Sequence, residues 1–252
     1  MQDILSVFRP DLFAGRWVVI SGGTSGIGLD LAKAFSRLGA DTIATGASAA
    51  RLEAARADKQ AQGVRFERLD VRDRSAVDAF FARLAALDVL VNAAGVAKPE
   101  LEWEEADFLD VMDVNLNSAM RLSTAARPLL ERSRGSILNL ASMLSYLADD
   151  SVPAYCASKT GILGLTRALA HRFGPAGVRV NAIAPGYHKT EMTRALWSDP
   201  QPAAKIAAKS ALKRWGSTED LIGAAIFLSS PAAAFVTAAT LAVDGGYGVS
   251  GF

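Results

Sequence analysis

Two hydrophobic rhythms alternate along this chain. Short continuous apolar runs, the pattern of strands buried on both faces, are separated by longer stretches in which apolar positions recur every three or four residues, the pattern of amphipathic helices. The runs fall at residues 16–21, 42–45, 64–69, 88–91, 136–140, 179–183 and 241–243. The first helical stretch opens near Gly28 and runs to about Leu38; others cover residues 50–62, 75–86, 105–131 and 155–173. Asp73 or Ser75 is expected at the cap of the third. Strands and helices in alternation predict a parallel sheet covered on both faces. The expected fold class is α/β: a single doubly wound, mostly parallel seven-stranded sheet flanked by helices, of Rossmann-like type. No internal repeat, charge run, low-complexity segment or linker divides the chain, so residues 1–252 are read as one domain. Residues 187–216 are the least regular part. They hold Pro200, Pro202, Trp197, Trp215 and several lysines, and read as a substrate lid.

Composition narrows the picture. Half of the 252 residues are hydrophobic, enough for a sizeable core without staples. Lys plus Arg is 27 and Asp plus Glu 26, a net charge of +1, which gives no field to draw in nucleic acid or an anionic membrane. Cys156 is the only cysteine, so there is no intrachain disulfide, and a reducing compartment suits it. Residues 1–10 lack a basic region followed by an apolar run, and residues 232–243 are too short to span a bilayer. The expectation is a cytoplasmic protein acting on a small molecule, with no metal, nucleic acid or membrane partner.

Candidate chemistry begins at the end of the first strand, in Gly22-Gly23-Thr24-Ser25-Gly26-Ile27-Gly28. Strand, glycine-rich turn and helix in this order make a phosphate cradle. Backbone N–H groups and the positive helix end face the anion, and missing side chains let it approach. The spacing, glycines at 22, 26 and 28, is not that of the common G-x-G-x-x-G fingerprint. Further along, Tyr155 and Lys159 stand four residues apart in a helical stretch and so project from one face. A free phenol, with a pKa of roughly 10, transfers protons poorly at neutral pH. A nearby ammonium favours its phenolate and is expected to lower that pKa. A phenol tuned in this way takes a proton from an alcohol, or gives one to a ketone, while a hydride moves elsewhere. In open parallel sheets ligands bind outside the C-terminal strand ends, where Asn92, Ser142 and Pro185 fall. Cys156 points about 100° away from Tyr155 on the helix and reads as a buried spectator. His171, near the helix end, reads as structural, and His188 is a candidate for substrate contact.

Seven motifs in one order complete the reading: Ser21-Gly22-x-x-x-Gly26-Ile27-Gly28, Asp70-Val71, Asn92-Ala93-Ala94-Gly95, Asn115, Ser142, Tyr155-x-x-x-Lys159, and Pro185-Gly186 with Thr190. In these the chain resembles the short-chain dehydrogenase/reductase family, single-domain subgroup, from about Gly15 to the C-terminus. Ser21 departs from the family's usual Thr but keeps the hydroxyl. The resemblance implies an NAD(P)-dependent oxidoreductase that interconverts a secondary alcohol and a ketone. Tyr155 would be the general acid/base, and Lys159 would lower its pKa and hold the nicotinamide ribose. Ser142 would steady the substrate oxygen, and Asn115 would link Lys159 to solvent through its main chain and a water. Ser21, Gly22, Thr24, Ser25, Gly26, Ile27 and Gly28 would pass the pyrophosphate. Gly46, Asp70, Val71, Asn92, Ala93 and Gly95 would line the adenosine side. Pro185, Gly186 and Thr190 would meet the nicotinamide.

The choice between NAD and NADP stays open at this point. The second strand ends in Gly46-Ala47-Ser48, with no acidic residue to exclude a 2′-phosphate and no Arg at 47 to bind one. The hypothesis is that both are accepted, with Ser48 and Arg51 contacting any phosphate. Substrate candidates are a sugar, polyol, hydroxy acid or 3-oxoacyl compound, with Val96, Met143, Leu144, Tyr187, His188 and Trp197 lining the pocket. The resemblance further implies a homotetramer, or a homodimer, packed through residues 105–131 and 153–173 and the C-terminal strand. The rival reading is a non-catalytic dinucleotide sensor or scaffold on the same fold. A second rival, epimerisation or dehydration, would need an extra acid or base such as His188, Asp149 or Asp150.

Overall fold

The structure, a computed structural model, describes residues 3–250. Seven strands form one sheet: β1 (Trp17–Ser21), β2 (Asp41–Gly46), β3 (Val64–Arg68), β4 (Val89–Asn92), β5 (Ser136–Leu140), β6 (Arg179–Pro185) and β7 (Thr240–Val243). Their order is β3-β2-β1-β4-β5-β6-β7. Every neighbouring pair is parallel, so the sheet is wholly rather than mostly parallel. Each strand must then be followed by a crossover, which the alternating sequence supplies as helices. The chain turns from one side of β1 to the other between β3 and β4. That switch opens a crevice at the C-terminal strand ends.

The two sheet faces are buried by alternate residues of each strand, as the period of two requires. Val18 and Ile20 of β1, with Val91, Leu138 and Ile183, pack on α1 (Gly26–Arg37) through Leu31 and Phe35. Val19, Ile43, Leu90, Ile137 and Val180 face the other way, onto α3 (Arg74–Ala82), α5 (Ser118–Ser133) and α6 (Pro153–Phe173). The second helix, α2 (Ala49–Ala57), lies over the β2 and β3 edge. Full burial of one such aliphatic or aromatic side chain stabilises the fold by roughly 1.5–3 kcal/mol.

Several expected boundaries shift. The helix expected over residues 50–62 ends at Ala57, because Asp58 turns extended and its carboxylate caps a separate 3-10 turn, Lys59–Ala61. The third helix is capped by Asp73 and ends at Ala82. The helix expected over residues 105–131 is two: α4 (Glu105–Met112) and α5, joined by a π-type turn, Asp113–Asn117. Asn115 sits in that turn, and its side chain leaves the helix to bind other elements. Residues 187–216 hold two helices, α7 (Arg194–Trp197) and α8 (Pro200–Lys209). A ninth helix, α9 (Ile222–Ser229), was not expected from the pattern. It is apolar nearly all round, as a helix packed between α1 and the sheet must be, so it shows no polar stripe.

Candidate active site

The glycine turn after β1 is fixed by contact. Gly22 has φ +73°, and a Cβ there would lie 2.5 Å from Ala94 N; a Cβ on Gly28 would lie 2.3 Å from Gly22 O. No other residue fits either place without moving backbone. Gly26 differs. It has φ +52°, and its nearest neighbour across the gap is Thr190, 3.9 Å from where a Cβ would be. The bare turn thus forms one wall of the crevice and Thr190 stands on the opposite wall. Ser25, the residue before α1, makes no side-chain cap, which leaves the helix's first N–H groups to a ligand. These features fit the pyrophosphate of a nicotinamide dinucleotide.

The side of the crevice where an adenosine is expected is built from the ends of β2, β3 and β4. Gly46 accommodates Thr24, whose Oγ1 would lie 2.5 Å from a Cβ at 46. Ser48 caps α2 by accepting from Arg51 N–H at 3.3 Å, and the Arg51 side chain is exposed. Arg68, to which nothing in the sequence pattern drew attention, donates from Nε to Ala47 O at 3.2 Å and so sits at the β2 end. Asp70 is engaged by its neighbour: Arg72 donates to it from Nε at 3.0 Å and from Nη2 at 2.8 Å. The guanidinium holds the Asp70 carboxyl below the usual carboxylate range. Val71 is buried beside it. Asn92 turns its side chain inward, donating to Asn139 Oδ1 at 2.8 Å and Ser123 Oγ at 3.2 Å, so its backbone, with Ala93 and Gly95, is what it leaves to the crevice.

Ser142, Tyr155, Lys159 and Asn115 converge from three segments. Ser142 ends the β5 excursion and starts a 3-10 turn, Met143–Ser145, accepting from Leu144 N–H at 3.1 Å. Ser145 Oγ donates to Lys159 O at 2.7 Å, which ties that turn to α6. Lys159 is 4% exposed; its Nζ donates to Leu140 O at 2.7 Å and lies 5.5 Å from the Tyr155 ring centroid. Asn115, 2% exposed, accepts from Val96 N–H at 2.8 Å, donates to Val96 O at 2.9 Å and donates to Ser158 Oγ at 3.1 Å. Gly95 lies against both groups: a Cβ there would be 3.6 Å from Asn115 Oδ1 and from Lys159 Nζ. An Asn115→Ala variant removes all three bonds and strands the part-buried Val96 N–H. We expect it to lose about 2 kcal/mol of stability, read as a lower denaturation midpoint at unchanged slope.

Electrostatics correct one expectation. The ammonium of Lys159 was expected to pull the Tyr155 phenol down. Instead burial pushes Tyr155 up to about 12, with Ser142 opposing the rise and the charges of Cys156 and Glu102 adding to it. Tyr155 is half-buried as a residue, but the protein around it removes water from the phenol. Burial likewise pushes Lys159 down to about 8. Desolvation sets the direction of both shifts.

Beyond the quartet, Pro185 ends β6, and a Cβ on Gly186 would lie 2.7 Å from Asp244 Cα, so the ends of β6 and β7 close on each other there. Tyr187 meets Trp215 and Tyr247 edge-on at 5.4 and 5.2 Å, and the Lys209 ammonium stands 4.6 Å over the Tyr247 ring. Thr190 O accepts from Trp197 Nε1 at 2.8 Å. His188 is buried against Gly216, and its Nδ1 donates to Gly186 O at 3.0 Å; burial holds its pKa down. Among the described residues no group of three or more His, Cys, Asp or Glu is placed to hold a metal, and no helix is long and apolar enough to cross a membrane.

A wholly parallel sheet with a dinucleotide crevice at its switch point, and a Ser, Tyr, Lys and Asn beside that crevice, define a nicotinamide-dependent oxidoreductase of CH–OH groups. A family-wide sequence pattern described as enoyl-(acyl carrier protein) reductase matches residues 22–248, and the chain belongs to the short-chain dehydrogenase/reductase family. It is similar to gluconate 5-dehydrogenase of Gluconobacter oxydans (strain 621H), 37% identical over 96% of this chain and 99% of that one. It is also similar to galactitol 2-dehydrogenase (L-tagatose-forming) of Cereibacter sphaeroides, 38% identical over 98% and 100%. Among solved structures, a gluconate 5-dehydrogenase from Burkholderia cenocepacia J2315 in complex with NADP and tartrate superposes with a TM-score of 0.87, at 33% identity over 96% of this chain and 98% of that one. The chain is therefore an NAD(P)-dependent enzyme interconverting a secondary alcohol and a ketone, which leaves the sensor reading without support.

Proposed function

We propose that the enzyme oxidises a secondary hydroxyl of an open-chain sugar acid, and reduces the matching ketone, with Tyr155 as general acid/base. The observation that carries this is the meeting of Ser142, Tyr155, Lys159 and Asn115 beside the glycine turn. In this reading the bound cofactor supplies or receives the hydride. Ser142 holds the substrate oxygen, and Tyr155 exchanges its proton with that oxygen. Lys159 holds the ribose, and Asn115 keeps the route from Lys159 to solvent in place. Ser21, Gly22, Thr24, Ser25, Gly26, Ile27 and Gly28 hold the pyrophosphate; Gly46, Asp70, Val71, Asn92, Ala93 and Gly95 hold the adenosine; Pro185, Gly186 and Thr190 hold the nicotinamide. Asp70 would share its carboxylate between Arg72 and the adenine.

The sugar-acid class is supported by the names of the relatives and by the pocket. Tyr187, a pocket candidate, meets Tyr247 edge-on, and the Lys209 ammonium stands over the Tyr247 ring, a set of polar groups that would suit a polyhydroxylated anion. Residues 187–216 act as the lid. The test is oxidation of a panel of sugar acids, polyols and 3-hydroxyacyl thioesters by the purified protein. We expect sugar acids to be preferred by at least about tenfold in kcat/KM, the value of one lost polar contact. A preference for the thioester would replace this reading.

NADP is accepted in this proposal, with Ser48 and Arg51 at its 2′-phosphate and Arg68 alongside. Arg51→Ala should raise KM for NADP several-fold and leave NAD kinetics unchanged, as expected for one exposed charge. Equal loss with both cofactors would remove Arg51 from the proposal. The protein is further read as a cytoplasmic homotetramer. Leu109 on α4, Met120 on α5 and Leu241 on β7 are exposed apolar side chains on the elements that would pack; the apolar tail, residues 247–252, would also suit such burial, and its last two residues, Gly251 and Phe252, lie outside the described residues. Light scattering giving about 106 kDa, four copies of the 26.5 kDa chain, would support it.

A further inference from the structure

Residues 98–104, between β4 and α4, reach the start of α6 three times. Glu100 N–H donates to Ser151 O at 2.8 Å, and Trp103 Nε1 donates to Asp150 O at 2.9 Å. The third contact is made by a buried carboxylate. Glu102 is 0% exposed; its Oε2 accepts from Tyr155 N–H at 2.7 Å and its Oε1 from Lys98 N–H at 2.8 Å. Among the described residues no ion pair neutralises it, because the Lys98 ammonium goes to Asp107 and Asp110 at 2.7 Å. A carboxylate this deep is costly unless it is hydrogen-bonded. What this one has is two charge-assisted bonds and the positive end of a 21-residue helix.

The next peptide group, that of the Tyr155 carbonyl, is gripped as well. Ser158 Oγ donates to Tyr155 O at 2.8 Å and accepts from Asn115 Nδ2, and Asn115 binds both backbone groups of Val96. A closed circuit therefore runs from Tyr155 N–H through Glu102 to Lys98, along the loop to Val96, and back through Asn115 and Ser158 to Tyr155 O. We infer that Glu102 is a positioning residue, which clamps the Tyr155 main chain to the strand-end loop of the cofactor crevice and so sets where the phenol stands. This rests on Tyr155 being the acid/base. The phenol is faced by Ser142 from the turn after β5, by Cys156 and Lys159 on its own helix, and by Glu102 from this loop. Tyr187, beyond β6, stands close enough to feel Cys156 and Asp149. Of these, Cys156 on the same helix and Glu102 from the loop disfavour the phenolate, and Glu102 is the one that does so from outside the helix.

The experiment uses the full chain with Glu102→Gln and Glu102→Asp, beside Tyr155→Phe. NADPH affinity is read by fluorescence titration, and kcat/KM against pH with the panel alcohol that the parent oxidises fastest. Gln keeps the shape but loses the charge and one acceptor. We expect kcat to fall about tenfold or more, NADPH Kd to stay within about threefold, and the acid limb of the profile to move to lower pH, because removing a negative charge favours the phenolate. Asp keeps the charge at shorter reach, so kcat falls while the limb stays in place. Parental kcat and limb in Glu102→Gln would overturn the inference. So would a loss of kcat and NADPH affinity together with an unmoved limb, the mark of mere structural support. Should Glu102→Gln not fold, parental kcat in Glu102→Asp overturns it. Parental turnover in Tyr155→Phe would instead bring down the acid/base assignment itself.

Discussion

A Tyr155→Phe variant should turn over about a thousandfold more slowly than the parent while binding reduced cofactor with unchanged affinity. The phenyl ring keeps the packing, and only the transferable proton is lost; a positioned acid/base contributes roughly 10²- to 10⁴-fold. The direction of the pH dependence follows from the free protein's phenol, which burial pushes up to about 12. At neutral pH the group is protonated and ready to donate to a ketone. Alcohol oxidation needs the phenolate, so its rate should rise with pH, and the positive charge of an oxidised nicotinamide brings that rise below 12. Ketone reduction should stay flat and fall only at high pH. Single-turnover rates in both directions between pH 6 and 10 check this. Parental turnover in Tyr155→Phe would remove Tyr155 from the chemistry.

Lys159→Met should make the protein more stable and nearly inactive. The ammonium is 4% exposed, and burial pushes its pKa down to about 8, against roughly 10.4 in an unfolded chain. Below pH 8 the folded state holds a desolvated charge. Between pH 8 and 10 the unfolded state binds more protons than the folded one, so stability rises with pH across that window. The full shift corresponds to about 3 kcal/mol. Met removes that cost but also removes the hydrogen bond to Leu140 O, worth about 1 kcal/mol. The net expectation at pH 7 is a gain of about 1–3 kcal/mol. The rise between pH 8 and 10 should appear in parent melts and vanish in the variant, since methionine has no proton to titrate; above pH 10 the raised Tyr155 acts in the opposite direction. Turnover should fall by roughly a hundredfold or more, and cofactor affinity with it. A variant less stable than the parent at pH 7 would contradict the burial cost.

Stability and activity thus compete at one position. A buried lysine with a single backbone carbonyl as its partner is poor protein engineering for folding alone. It is the arrangement expected where a charge is kept for a bound dinucleotide and a phenol.

Much of this was legible in the chain because it is local. The period of two along the strands, the recurrence of three and four along the helices, the glycines after β1 and the four-residue step from Tyr155 to Lys159 are set by neighbours in sequence. They determined the alternation of strands and helices, the parallel sheet and the pairing of Tyr155 with Lys159, while Ser142 and Asn115 were singled out by the family resemblance. The tertiary structure decided what depends on distant partners. Asn115 breaks α4 from α5 because Val96 and Ser158 lie within its reach. α9 escaped notice because it is apolar on nearly every side and so carries no polar stripe. Glu102 is one of four glutamates between residues 100 and 105, and only the arrival of the α6 N-terminus distinguishes it from the other three. The sign of the Tyr155 shift was likewise beyond the sequence. A charge four residues away can be read from spacing, whereas desolvation is the sum of everything the fold packs around the ring.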